Sequence, residues 1–273
     1  MRTKFILAAA LLAGICEAQT TPEPEEGVTL KGLPRRFVSD EIAIWTSPFR
    51  SSSYSPHTVK KYLVPFTLIS AGLIASDQQT THWASNSEDQ IKWSGRVSQL
   101  GAAYSLGGFA GGTYLVGLMA KNEHARETGL LALEALGHAQ VVVFGLKQVT
   151  NRSRPPDTPA GTGFWQGGNS FPSGHAMSVF SVATIFAYEY RHNIAVPITA
   201  YGLAGVISAS RLSARRHWMS DIFVGGSAGF LIGRFVYKRH HNPKLPGSPV
   251  KRAAKLIPQV GMGMGGPSLS WEW

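Results

Sequence analysis

Six apolar segments of helical composition fill the middle of this chain, at about 59–76, 97–120, 127–147, 175–190, 193–212 and 217–237. A half-buried strand must alternate apolar and polar residues, and no stretch before the last residues does so at length. The expectation is therefore an all-α fold, a six-helix bundle in one domain over residues 59–240. No fixed-period repeat is visible. A chain of 273 residues is long enough for such a core.

Outside the bundle the sequence changes character. Arg2 and Lys4 precede the uncharged run 5–15, and Ala18 ends a small-residue site, so residues 1–18 read as a signal peptide cleaved before Gln19. The less favoured alternative is a lipoprotein signal acylated at Cys16. Cys16 is the only cysteine, so the mature chain has no disulfide and no thiolate metal site. Residues 19–58 read as an irregular N-terminal segment with a short helix from Asp40 to Phe49. Residues 241–273 read as a basic, Gly-rich tail whose end, SLSWEW, is a short edge strand or loose.

The segments also raise the question of a bilayer. A span needs about 20 apolar residues. By uncharged length only 97–120 and 192–210 suffice, and the third segment carries Glu134 and His138. The hydrophobic fraction, 44%, is low for a polytopic membrane protein. An exported bundle, soluble or resting on a membrane, therefore fits better than a spanning one. The net charge of +10 favours anionic partners, and composition does not choose among them.

Three stretches carry chemistry. In KQVTNRSRP, Lys147 closes the third segment and Arg154-Pro155 follows; alone this is a basic helix end. In PSGH, residues 172–175, Ser173 and Gly174 open a helix whose amide groups favour an anion, with His175 on the rim. In SRLSARRHWMSD, Arg211 ends the fifth segment, and His217 stands four residues before Asp221. That spacing shares a helix face, so Asp221 can accept the Nδ1 proton and leave Nε2 as nucleophile. It also describes an ordinary surface pair.

Together, Lys-x6-Arg-Pro, Pro-Ser-Gly-His and Ser-Arg-x5-His-x3-Asp resemble the signature of the type-2 phosphatidic-acid phosphatase superfamily. The resemblance covers Lys147 to Asp221 and, loosely, 59–237. It implies the helical fold shared by bacterial class A acid phosphatases, lipid phosphatases and vanadium haloperoxidases. It also implies phosphoester hydrolysis through a phosphohistidine on His217, oriented by Asp221, with His175 protonating the leaving oxygen. Lys147, Arg154, Ser173, Gly174 and Arg211 would hold the phosphate oxygens. No metal or cofactor is implied, although vanadate would occupy the same pocket. The expected substrate is a phosphorylated lipid or a small phosphoester, with contact to a membrane surface and no nucleic acid. A vanadium-dependent haloperoxidase and a non-catalytic anion- or lipid-binding protein are the alternatives.

Neighbouring residues rank lower. Arg152, Arg215 and Arg216 read as a solvated basic rim. Phe164 and Trp165 read equally as pocket wall or loop packing, and Trp218 as a neighbour of His217 or a helix anchor. Glu134 and His138, also at i, i+4, read as a buried polar pair within the bundle and not as a site.

Overall fold

The computed structural model describes residues 30, 32–50, 54–84, 87–155, 163–245, 259–263 and 266–270. The expected signal peptide lies outside them. Among the described residues eight long helices follow one another: α1 (Leu33–Thr46), α2 (Val64–Ala84), α3 (Glu88–Ser98), α4 (Ala103–Met119), α5 (Glu123–Thr150), α6 (Gly174–Glu189), α7 (Ala195–Ser213) and α8 (Met219–His240). The all-α expectation holds for the bundle, but the count of six does not. Two short strands in the tail, β1 (Gln259–Gly263) and β2 (Gly266–Ser270), pair antiparallel.

The two additional helices have local causes. α1 lies within the segment expected to be irregular and runs well beyond the short helix expected there. It packs along α5, where Phe37 and Trp45 cover Gly137 and Gly145. α3 is too polar to show as an apolar segment. Ser87 caps it by accepting from the Gln90 amide, and Glu88 and Asp89 stand in its first turn. A π-helical turn, Val59–Leu63, leads into α2 just before Pro65. Proline lacks the amide that a regular α turn would use, and its ring crowds the carbonyl four residues earlier.

The core is the contact of α4, α5, α6, α7 and α8. Its closest approach is between α6 and α8. A Cβ at Gly225, Gly229 or Gly233 would lie 2.6, 2.2 or 2.5 Å from the carbonyl oxygens of Ser173, Met177 and Ser181. Only glycine fits there, and the repeat of four keeps the three positions on one face of α8. This ridge presses the start of α6, which carries PSGH, onto the start of α8, which carries Asp221. The Ser173 amide donates to the Asp221 carbonyl at 3.0 Å.

The outside of the bundle is apolar. Leu68, Ile69, Phe109, Leu115, Val116, Phe144, Ile198, Leu203 and Val206 are all exposed. Four helical stretches, Pro56–Thr81, Glu123–Thr150, Ala195–Ser213 and Met219–His240, are long and apolar enough to cross a membrane. This reverses the weighting against spanning. Segment 97–120 is broken at 99–101, whereas α5 qualifies by length and composition, with Glu134 and His138 buried.

Candidate active site

The C-terminal ends of α5 and α7 and the N-terminal ends of α6 and α8 meet at one end of the bundle. α5 stops at Asn151, which adopts a left-handed conformation (φ 42°, ψ 44°). The loop 163–170 then zips back along 150–153. Trp165, Gln166 and Gly168 donate to the carbonyls of Thr150, Asn151 and Asn151, and Ser170 donates to that of Arg152 at 2.7 Å. Gly168 is required there, since a Cβ would stand 2.2 Å from the Arg152 oxygen. Between these strands of loop lies a cleft of about 440 Å³, lined by Lys147, Gln148, Asn151, Arg154, Gly167, Gly168 and Asn169.

The motif residues gather around this end. His175 sits in the field of Arg211, His217, Lys147 and Arg154. Lys147 is half-buried, Arg154 donates to Asn169 at 3.1 Å, and Arg211 donates to Ser98 at 2.8 Å. Ser173 caps α6, its hydroxyl accepting from the Ala176 amide at 3.5 Å. Gly174 is the first residue of α6. A Cβ there would meet Val143 at an ordinary 3.4 Å, so helix packing does not demand glycine.

His217 is buried, and its Nδ1 lies 2.8 Å from the backbone carbonyl of Ser170. A carbonyl oxygen only accepts, so Nδ1 carries the proton and Nε2 keeps the lone pair. This changes the expected role of Asp221. Its carboxylate is 3.5 Å from His217 Nδ1, close enough to stabilise an imidazolium, while the carbonyl of Ser170 sets the tautomer. Burial holds the His217 imidazole down to about 4, with Arg211 and Arg154 adding to the effect against the pull of Asp221. Burial likewise lowers His175 to about 4, helped by Arg211, His217, Lys147 and Arg154. Both rings are neutral at pH 7.

Asp221 is held from every side. Ser170 Oγ donates to it at 2.5 Å, the Trp218 amide at 3.0 Å and Arg152 Nη1 at 2.6 Å. Arg152 is the largest departure from expectation. It is fully buried and is no part of a solvated rim. Its other Nη reaches Asp77 of α2 at 2.7 Å, and its guanidinium lies 4.4 Å from the Phe164 ring and 5.2 Å from that of Trp218. Asp77 also accepts from the Ser220 amide at 3.0 Å. Phe164 and Trp218 are therefore packing for Arg152, and Trp218 Nε1 donates to the Ser153 carbonyl. Arg215 and Arg216 are exposed, as a rim would be.

Sequence reasoning did not single out Asp77 or Ser170. Ser170 has no distinguishing signal, but Asp77 does: it is the sole carboxylate in α2. An acid in an apolar helix needs a buried partner.

Comparison with known proteins agrees with this geometry. The family model of the PAP2 superfamily matches residues 128–244. Lipid A 1-phosphatase of Porphyromonas gingivalis is 34% identical over 111 residues, which are 40% of this chain and 23% of that protein. The chain thus spans less than a quarter of the curated relative it matches. A transmembrane PAP2 type phosphatidylglycerolphosphate phosphatase from Bacillus subtilis shares the fold, with a TM-score of 0.51 at 23% identity over 63% of this chain and 92% of that one. LpxE of Aquifex aeolicus is more distant, with a TM-score of 0.44 at 21% identity over 64% and 94%. The PAP2 superfamily match, residues 128–244, holds all three motifs.

Proposed function

We propose that this protein is a membrane-embedded phosphatase that removes phosphate from a lipid phosphomonoester or diphosphate by way of a phosphohistidine on His217. One observation carries the reading. A buried, neutral histidine with its Nδ1 proton committed to a carbonyl lies in the field of Arg211 and Arg154, and beside it a second neutral histidine lies in the field of those two cations and of Lys147.

In the first step His217 Nε2 forms a bond to phosphorus as the ester oxygen departs. The phosphoryl group spreads its charge over three oxygens, and Lys147, Arg154, Arg211 and the amide end of α6 face that charge. The new imidazolium is stabilised by Asp221 at 3.5 Å. His175 gives its proton to the leaving oxygen. Burial and then the neighbouring cations hold that proton off, and a phosphate dianion among the cations offsets their field and favours it. In the second step His175 takes a proton from water, the water oxygen bonds to phosphorus, and the N–P bond breaks. Three fixed cations supply the electrostatic stabilisation, so no step in this scheme calls on a metal ion.

The lipid assignment is supported by the apolar belt around the site-bearing bundle. It is supported too by α3, whose exposed Trp93 beside Arg96 has the makeup of an interfacial anchor. The lipid A 1-phosphatase relative points the same way. The test is phosphate release from a panel of phosphatidate, polyprenyl diphosphate, lipid A and soluble esters, with His217→Ala beside the native chain. Lipid substrates are expected to turn over faster than soluble ones, and the variant to be inactive. Full activity in His217→Ala overturns the phosphohistidine mechanism, and equal or better turnover of soluble esters overturns the lipid assignment.

A further inference from the structure

A second cluster of titratable groups lies at the far end of α8, about 28 Å from Asp221 at 1.5 Å per residue. It joins three helices. Asp40 comes from α1, Glu134 and His138 from α5, and His240 from α8. One ligand atom each from Asp40, Glu134 and His240 lie within 4.8 Å of one another. His240 Nε2 is 2.6 Å from Asp40 Oδ2 and 4.0 Å from Glu134 Oε1. His138 Nε2 is 3.8 Å from Asp40 Oδ2.

Three buried atoms in this cluster make no hydrogen bond: Asp40 Oδ1, which has only its ion pair with Arg239, and Glu134 Oε1 and His138 Nε2, on residues that are 2% and 0% exposed. Burying an acceptor without a partner is costly. The opposite edges of His138, Glu134 and Asp40 are nonetheless held. His138 Nδ1 meets Glu41 at 2.7 Å, and the ring stacks on Phe37 at 4.2 Å. Arg36 holds Glu134 Oε2 at 3.0 Å, and Arg239 holds Asp40 Oδ1 at 2.9 Å. A carboxylate on the far nitrogen of a histidine, and partners on the far oxygens of carboxylates, are how metal ligands are oriented.

We infer that Asp40, Glu134, His138 and His240 form a structural site for a divalent transition-metal ion, with zinc the ion that best suits two imidazoles and two carboxylates. Tetrahedral ligands at about 2.1 Å stand about 3.4 Å apart. The separations of 2.6, 3.8 and 4.0 Å straddle that value, and His138, which lies outside the group of three mutually within 4.8 Å, would move inward to complete the set. Four protein ligands leave no open position, so the ion would staple α1 to α5 and α8 and take no part in hydrolysis. The competing arrangement is a metal-free network of hydrogen bonds between the histidines and the carboxylates.

The experiment uses the full chain in detergent, stripped with chelator and titrated with Co²⁺ as a spectroscopic stand-in for zinc. One equivalent is expected to give visible tetrahedral absorption bands, to be displaced by Zn²⁺ and to raise the melting temperature. Glu134→Gln and His138→Phe, which keep shape and stacking, are expected to weaken binding by at least about ten-fold. Retention of the native helical spectrum in either variant shows that the loss is local. Absence of a saturable band overturns the inference, as does equal binding in both variants. Loss of the band in His241→Gln alone also overturns it, because His241 belongs to the neighbouring group with Glu127 and Glu189. Phosphate release is expected to be unchanged by chelation, so this result and that of the active-site test stand apart.

Discussion

Arg152 offers the sharpest test of how the site is held. It neutralises Asp77 and Asp221 together, at 2.7 and 2.6 Å, from a position with no exposure to solvent. Arg152→Met keeps the bulk and removes the charge, leaving two buried carboxylates without a cation. Each pair contributes about 4 kcal/mol of attraction at a separation of ~4 Å and an effective dielectric of ~20. Protonation limits the damage. Neutralising one aspartate at pH 7 costs about 4 kcal/mol, from a reference of ~3.9 at ~1.36 kcal/mol per unit. The expected loss is therefore about 3–5 kcal/mol, the usual result of breaking a buried pair from one side. At ~2–4 °C per kcal/mol this is a fall of roughly 10 °C in melting temperature. The same limit is only about 1.5 kcal/mol at pH 5. A carboxylate forced to keep its proton in the folded state destabilises more as pH rises from ~4 to 7. The defect should then shrink on acidification, when melting is followed in detergent at both pH values. The double variant with Asp77→Asn removes one of the stranded charges and should be more stable than Arg152→Met alone. A loss below about 1 kcal/mol refutes this reasoning. So does a loss that is independent of pH or simply additive with Asp77→Asn.

Two further outcomes follow from the site and its frame. His217 is neutral in the folded protein down to about 4, against 6.5 for a free imidazole. A lowered histidine pKa means the unfolded chain binds the proton first, so stability is lost as pH falls from about 6.5 to about 4, by about 3 kcal/mol for this one group. The acid limb of kcat/KM should likewise lie near pH 4, and a limb near 6.5 that tracks His217 would contradict the burial argument. At the helix contact, Gly229→Ala places a methyl 2.2 Å from the Met177 oxygen. Overpacking of this kind typically costs about 1–3 kcal/mol, and because α6 carries His175 and α8 leads from His217, turnover should fall along with the melting temperature. A variant that melts normally and turns over normally would mean the helices part without cost.

The motif residues were legible because their spacing is a property of the chain itself. Helix ends at 150, 174, 213 and 219 bring Lys147, His175, Arg211 and Asp221 to the same end of any up-down bundle. What spacing could not convey is where each charge is satisfied. Arg152 looks like one more surface cation beside Arg154, and its burial depends on Asp77, seventy-five residues upstream on a helix outside the matched segment. The same blindness produced the soluble reading. Counting uncharged residues disqualified α5 at Glu134 and His138, yet those side chains meet Arg36, Asp40 and Glu41 inside the protein. The face of α5 that bears Val141, Phe144 and Val149 stays apolar. A polar residue in a long apolar helix therefore poses a question about its partner before it argues against a membrane. In this chain both answers lie in N-terminal helices that carry none of the three motifs. Asp77 on α2 completes the charge balance beneath His217 and Asp221, and Asp40 on α1 completes the buried cluster at the other end.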